Sequence, residues 1–335
     1  MKVLHVGSKN YPPDHGGTER VVFDIATGSE NFENYILVEW EQEETNNIKV
    51  MPYGFCNKLQ FITKFVKKEK IDIVHFHNEA YIPIALIYSV INRKTLLTIH
   101  GCHFTNPKYN WFQRISILLF DILGAIFLPR LVFCNEVDQN QFMKWVPFRD
   151  LFFVPNGVKT PSFQANENDE FKGVLVYLGR ISPEKNLLRL IEASNSSEKL
   201  VHIYGAFDER RVRFNKTIKN AIKNSNYVEW KGSVPYSQVL QTLAKYKTFV
   251  YPSLSEGLPL SVLEAASCGL NLILSDIPQH KILHFPSVYY INPLSFNLKI
   301  NFGDEDGILN KRFTLENYSI SRMVNGYIEI YNSLL

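Results

Sequence analysis

The chain is short of cysteine, of long apolar runs and of net charge, and each shortage removes a class of protein. Its four cysteines, Cys56, Cys102, Cys134 and Cys268, form no C-x-x-C pair and lie in or beside apolar stretches. Buried free thiols of this kind fit a reducing cytoplasm. The most apolar stretch, residues 115–128, has only 14 residues and contains Asp121, so it is too short to span a bilayer and reads as a buried helix. The amino terminus, MKVLHVGS, reads as a strand and a glycine turn without the apolar region of a secretion signal. A cytoplasmic protein is expected. A net charge of +3 demands no nucleic acid, although a local basic face could meet anionic lipid or substrate. No internal repeat or low-complexity tract is present.

What is present is an ordinary globular composition, 45% hydrophobic, 21% charged and 13% aromatic over 335 residues, a length that accommodates about two domains. Residues 251–276, YPSLSEGLPLSVLEAASCGLNLILSD, read as strand, loop, helix and strand. Glu256 in the loop and Glu264 inside the helix point towards the carboxyl edge of a parallel sheet, where open α/β sheets bind ligands. A carboxylate there can accept two hydrogen bonds from a cis-diol. Taken alone, the same two residues read equally as a loop glutamate and an ordinary first-turn glutamate.

Strands are expected at residues 2–6, 35–39, 72–76, 96–99 and 131–134, then at 174–178, 200–204, 227–230, 248–251 and 271–274. After the first strand, Pro12, Pro13, Gly16 and Gly17 make a turn. Its glycines either let a backbone approach a phosphate or only turn the chain. A helix over 58–70 turns Leu59, Ile62, Phe65 and Val66 inward and Lys64, Lys67 and Lys68 outward; a solvated face and a membrane contact are both open readings. His100 follows a strand, in His100-Gly101-Cys102-His103, a position for chemistry more than packing. His75 points into the surroundings of the sheet, and His77 with Asn78 and Glu79 is placed on an acceptor side. Polar residues 160–172 read as a linker. Arg180 and Lys185 flank a glycine turn ahead of a helix start at Ser182-Pro183, which makes an anion site. Asp304-Glu305-Asp306 looks like a metal-binding D-x-D, but it lies late, in a polar loop, and no metal is expected there.

The Glu-x7-Glu spacing inside E-G-L-P-L-S-V-L-E-A-A-S-C-G-L resembles the signature of retaining glycosyltransferases of family 4, of the bacterial surface-polysaccharide type. HGGTERVV, TIHG, VPNGV and G-R-x-x-x-x-K-N are similar to further motifs of that family, and the resemblance is densest from 174 to 276. It implies the α/β GT-B fold, two doubly wound Rossmann-like domains facing across a cleft: residues 1–160 on the acceptor side, 161–315 on the nucleotide-sugar side, and a helix over 316–335 crossing back. It implies transfer of a sugar from a nucleotide-sugar donor, a UDP-sugar before a GDP-sugar. The acceptor would be a hydroxyl of a growing lipid-linked surface glycan, such as lipopolysaccharide, O-antigen or exopolysaccharide. Retention of configuration is implied, with no metal and no other cofactor.

By the same resemblance Glu264 holds the ribose, while Glu256, with Gly257 and Leu258, lies beside the sugar. Arg180 and Lys185 bind the pyrophosphate, Gly232 and Val234 offer backbone groups to the base, Gly16 and Gly17 face pyrophosphate and acceptor, and His100 contacts the sugar. The catalytic set is then His100, Glu256, Arg180 and Lys185. Three positions depart from the family pattern: Lys159 replaces an acidic residue, Asn271 stands where Cys-Gly-x-Pro would end, and Ile282 replaces a glutamate. The rival readings are a nucleotide-sugar epimerase or hydrolase on the same fold, and an inactive nucleotide-sugar-binding protein.

Overall fold

The apolar runs become the strands of two parallel sheets, each in its own unit of this computed structural model, which describes residues 1–335 except 14, 15, 30, 103, 105–108, 163–170, 172 and 304. The first unit comprises Met1–Gly157 together with Ile320–Leu335. Its chain runs β1 (Lys2–Ser8), α1 (Gly17–Gly28), β2 (Glu33–Val38), β3 (Ile48–Val50), α2 (Phe55–Glu69), β4 (Ile73–His77) and α3 (Ile82–Ile91). It continues through β5 (Thr95–Ile99), α4 (Trp111–Phe127), β6 (Arg130–Phe133), α5 (Glu136–Trp145) and β7 (Phe152–Phe153). The strand order is β3-β2-β1-β4-β5-β6-β7. Strand order reverses between β1 and β4, which sets the switch point of a doubly wound sheet there.

The period of two along the strands divides this sheet into unlike faces. Leu4 and Val6 of β1, Val74 and Phe76 of β4 and Leu97 and Ile99 of β5 join one buried apolar cluster. On the other face stand His5, His75, His77 and Thr98, all fully buried.

The second unit is Val158–Ser319. It runs β8 (Leu175–Leu178), α6 (Leu187–Ser197), β9 (Val201–Tyr204), α7 (Val212–Lys223), β10 (Val228–Gly232), α8 (Val239–Leu243) and β11 (Thr248–Tyr251). It then continues through α9 (Leu260–Ser267), β12 (Asn271–Ser275), α10 (Pro278–Lys281), β13 (Tyr289–Ile291) and α11 (Asp306–Asn317). The strand order β10-β9-β8-β11-β12-β13 places the switch point between β8 and β11. The last helix, α12 (Ile320–Asn332), returns to the first unit. There Tyr331 and Tyr327 cover the histidine face: the Tyr331 hydroxyl lies 2.7 Å from His75 Nδ1, and the Tyr327 hydroxyl 3.2 Å from Thr98 Oγ1. Gly28 permits α1 to meet α12, since a Cβ at that position would lie 2.8 Å from Val324 Cγ2.

The units divide at 157/158 and 319/320, against expected divisions at 160/161 and 315/316. One backbone link lies at both crossings: Val158 N–H donates to Tyr318 O at 2.7 Å, and Val158 pairs with Ser319. Two expectations about burial are corrected. Cys56 is exposed, because it is the second residue of α2 and precedes the apolar stripe of that helix, whereas Cys102, Cys134 and Cys268 are buried. Helix α4 is not a buried helix. It is apolar nearly all round, but its inward side carries small residues and Asp121, and its large side chains face out. A Cβ on Gly124 would lie 3.3 Å from Ile82 Cγ2, so α4 presses closely on α3. Among the described residues no helix is long and apolar enough to cross a membrane.

Asp121 is fully buried, and neither carboxyl oxygen has a hydrogen-bond partner among the described residues. Burial first, then the nearby carboxylates of Glu79 and Asp138, push its proton affinity up. A carboxyl whose folded pKa is raised takes up a proton on folding, so its contribution to stability falls as pH rises above the unfolded value of about 4. Asp121→Asn is therefore expected to match wild type near pH 4 and to become more stable towards pH 8, by on the order of 2 kcal/mol at neutral pH. Urea unfolding across that pH range checks this. A difference that stays flat with pH would contradict it.

Candidate functional site

In the second unit, the loops that leave β8 and β11 meet at the switch point. Gly179 opens the first of them, and its N–H donates to Tyr204 O at 3.0 Å. The close approach of the next strand requires glycine at position 205, where φ is +156° and a Cβ would fall 1.9 Å from Gly179 O. The expected helix start at Ser182-Pro183 is a single 3-10 turn, Pro183–Lys185. Asn186 then takes a left-handed conformation, and α6 begins at Leu187. The Asn186 side chain donates to Pro252 O at 3.1 Å and to Pro293 O at 2.8 Å, while Leu254 N–H donates to Glu184 O at 2.8 Å. These bonds stitch the β8 loop to the β11 loop and, through Pro293, to the segment after β13.

At that seam Lys185 Nζ donates to both carboxylate oxygens of Glu256, at 2.6 and 2.7 Å. The two side chains are only 11% and 7% exposed. The ammonium also lies 5.1 Å from the ring centre of Tyr251. Burial by itself lowers the Lys185 pKa, but the Glu256 carboxylate and Tyr251 raise it by more, so the net direction is upward and the lysine is charged. Arg180, at the start of the same loop, is exposed. Gly257 follows in the β11 loop, Leu258 is buried, and Glu264 sits within α9 at 4% exposure. Gly232 ends the edge strand β10, with φ +88°, and its carbonyl accepts from Gly205 N–H at 2.8 Å. Val234 follows it outside the sheet, half-buried.

Sequence reasoning passed over His280. It is fully buried in α10, donates from Nδ1 to Ser275 O at 3.0 Å, and lies 6.0 Å from the Tyr251 ring. Burial, opposed by the Glu256 charge, brings its pKa down to about 4. A lone histidine in a polar stretch carries no spacing that could have pointed to it. Of the D-x-D-like triplet, Asp304 lies outside the described residues. Asp306 accepts from Ser287 Oγ and from Gly303 N–H, both at 2.7 Å, which occupies its carboxylate in holding its own loop.

In the first unit, Gly16 (φ +105°) and Gly17 stand exposed at the start of α1, and the Glu19 side chain folds back against Gly16. His100 follows β5 and is half-buried, with Nε2 3.4 Å from His77 Nδ1. His103 lies outside the described residues. His77 is not on an open acceptor side as expected, because it points with His5 and His75 into the covered face of the sheet. His75, also on that face, is held at both nitrogens, by Tyr331 and by Thr98.

The hydrogen bonds fix the tautomers. The Asn34 amide nitrogen donates to Ala26 O and Ser29 Oγ, so its oxygen must accept from His5 Nε2–H, at 3.1 Å. Burial keeps His5 neutral, with a pKa of about 4; its Nδ1 therefore accepts from His77 Nε2–H, also at 3.1 Å. His77, likewise kept neutral by burial and then by the neighbouring histidines, presents its Nδ1 to an N–H from His100. His5 joins this chain from β1, where no spacing relates it to the β4 pair. The ligating atoms of His5, His75 and His77 lie within 4.8 Å of one another, but each of their ring nitrogens already has a hydrogen-bond partner.

Removing one partner of a buried ion pair strands the other charge. Glu256→Gln is therefore expected to lower the stability of the second unit by about 3 kcal/mol. Urea unfolding followed at Trp230, the one tryptophan of that unit, measures it, and an unchanged midpoint would show that Lys185 is already satisfied by other groups.

Residues 158–281 match the family model described as glycosyl transferases group 1. The Escherichia coli UDP-Gal:alpha-D-GlcNAc-diphosphoundecaprenol alpha-1,3-galactosyltransferase is 29% identical over 238 residues, which is 64% of this chain and 60% of that protein. The chain thus matches less than two thirds of this relative's length. The Xanthomonas campestris GDP-mannose:cellobiosyl-diphosphopolyprenol alpha-mannosyltransferase is 24% identical over 308 residues, 83% of this chain and 79% of the relative. Among solved structures, Anabaena HepE in complex with UDP and glucose superposes with a TM-score of 0.82 at 16% identity, covering 99% of this chain and 100% of that one. Sucrose-phosphate synthase from Thermosynechococcus elongatus gives a TM-score of 0.86 at 12% identity, covering 100% and 99%. The second unit is thus similar to the glycosyl transferases group 1 over residues 158–281, and the two parallel-sheet units have the GT-B fold.

Proposed function

We propose that the chain is a retaining family 4 glycosyltransferase that moves a sugar from a nucleotide-sugar donor, a UDP-sugar before a GDP-sugar, to a hydroxyl of a growing lipid-linked surface glycan. The observation that carries this reading is the charged Lys185 held at the switch point of the second sheet, on the glycine turn after β8 and against the Glu256 loop. A departing nucleoside diphosphate gains negative charge as its bond to the sugar breaks, and a fixed cation at that position stabilises it. The diphosphopolyprenol-linked substrates in the names of both relatives support the lipid-linked acceptor. They equally support a place of work at the inner face of the cytoplasmic membrane.

In this mechanism the bond from the anomeric carbon to the diphosphate oxygen breaks, and its electron pair leaves with the diphosphate. The acceptor oxygen bonds to the same carbon from the same face, and its proton passes to the departing phosphate oxygen. Lys185 exchanges Glu256 for the diphosphate, with Arg180 as the second cation. Glu264 accepts from the ribose hydroxyls, and the backbone at Gly232 and Val234 faces the base. Glu256, with Gly257 and Leu258, orients the sugar. No divalent ion is needed, because the cations are part of the chain.

The test is transfer from a UDP-sugar to a diphosphopolyprenol-linked sugar after extensive dialysis and in excess EDTA. The rate should persist in wild type and fall about a hundredfold or more in Lys185→Ala. Loss of transfer in EDTA with recovery on manganese would move charge stabilisation to a metal. Donor turnover that is indifferent to acceptor would turn the reading to an epimerase or hydrolase.

A further inference from the structure

A line of imidazoles crosses four neighbouring strands of the first sheet, β2, β1, β4 and β5. It slants from Asn34, near the amino end of β2, through His5 in β1 and His77 at the carboxyl end of β4, to His100 just after β5. The contacts are His5 Nε2 to Asn34 Oδ1 at 3.1 Å, His77 Nε2 to His5 Nδ1 at 3.1 Å, and His100 Nε2 to His77 Nδ1 at 3.4 Å. A neutral imidazole donates at one nitrogen and accepts at the other, so each link dictates the next. The Asn34 amide nitrogen donates to Ala26 O, Ser29 Oγ and Phe32 O, which makes its oxygen the acceptor that starts the line. His5 and His77, both kept neutral by burial, then carry their protons on Nε2. Neutral or charged, His100 must give an Nε2 proton to His77.

The surroundings keep the line from reversing. His5, His75 and His77 are fully buried, so water does not replace a lost partner. The His75 ring lies 3.7 Å, centre to centre, from that of His77, and His75 is itself held by Tyr331 at 2.7 Å and Thr98 at 2.8 Å. A reversed line would need the Asn34 amide turned round, with its oxygen against the carbonyl of Ala26. Two facing acceptors in a buried place disfavour that direction by about tenfold or more. The line also ends on an amide oxygen, which takes up no proton. It therefore orders His100 and does not conduct a proton away from it.

We propose that His77, backed by His5 and Asn34, is a positioning residue that holds His100 in the Nε2–H tautomer. Nδ1 of neutral His100 is then the accepting nitrogen, which makes it the partner of a hydroxyl and not of a phosphate or carbonyl oxygen. That the hydroxyl belongs to a sugar rests on the glycosyltransferase reading given above, whereas the tautomer rests on the geometry of the first unit alone. The experiment is nitrogen-15 NMR of the full chain labelled at histidine, which shows which ring nitrogen bears the proton, with His100 assigned by its absence from His100→Gln. In mildly alkaline buffer, wild-type His100 should carry its proton on Nε2. Asn34→Leu touches neither His77 nor His100 but removes the anchor, so His100 should populate both tautomers. His77→Phe keeps a ring without an acceptor and should do the same, while His77→Asn, whose side-chain oxygen stands near the place of Nδ1, should restore the Nε2–H form. The kcat for sugar transfer should follow the tautomer, falling about tenfold or more in Asn34→Leu and His77→Phe and recovering in His77→Asn.

An Nδ1 proton on His100 in wild type would overturn the proposal. So would a His100 tautomer unchanged in Asn34→Leu, a variant that leaves the buried rings in place if His77→Phe does not fold. A tautomer that shifts while kcat stays at the wild-type value would make the line structural only. The NMR spectrum reads the tautomer whether or not sugar is transferred, so a wild type with the Nε2–H form and no transfer would strike the glycosyltransferase reading and leave the His77 assignment standing.

Discussion

An ammonium and a carboxylate largely removed from water hold the carboxyl edge of the second sheet together. Taking both groups out of solvent is unfavourable, and their attraction offsets that only in good geometry. Lys185 and Glu256 have that geometry, with both carboxylate oxygens within 2.7 Å of the ammonium. Neighbouring loops dictate it: Asn186 reaches two carbonyls across the seam, and Leu254 N–H bonds the carbonyl of Glu184. A buried pair is weak evidence for stability as such. Its position, where strand order reverses and loops of an α/β sheet accept ligands, is the better reason for its presence. The same ammonium that answers Glu256 can answer a phosphate.

The first sheet repeats the architecture but treats its faces differently. One face is apolar under α3 and neighbouring helices, and the other buries three histidines beneath the tyrosines of α12. Buried imidazoles need partners, and here the partners are one another, Asn34, Thr98, Tyr331 and finally His100. The outcome is an imidazole chain whose neutral tautomers follow from one fixed amide at Asn34, ending on the residue singled out for chemistry. The return of α12 is thus more than a closing helix, since it supplies the hydroxyl that holds His75.

Much of this was legible in the residues. Short apolar runs separated by glycine turns marked ten strands and their parallel sense, because buried parallel strands read as continuous apolar segments, whereas the short edge strands β3, β7 and β13 were not expected. The glycine ahead of Arg180 read as a turn, whereas the close backbone approach that requires Gly205 shows only in three dimensions. Other features were not legible, for physical reasons. The large apolar side chains of α4 lie on its exposed side, so its periodicity points the wrong way, and only its small residues, Gly124 and Ala125, tell which side packs. His5 meets His77 across 72 positions of sequence, and Lys185 meets Glu256 across 71. Contacts of that range are set by strand order, which local spacing does not encode.

The account turns on one claim, that the second unit holds a nucleoside diphosphate between the Lys185 loop and Glu264. Calorimetric titration of UDP and of uridine into wild type and into Glu264→Ala tests it most directly. The account predicts that UDP binds wild type, that uridine binds far more weakly because it offers nothing to the cations, and that Glu264→Ala weakens UDP by about tenfold to a hundredfold while remaining folded. Equal affinity for UDP and uridine, or a Glu264→Ala variant with undiminished affinity for UDP, would contradict it.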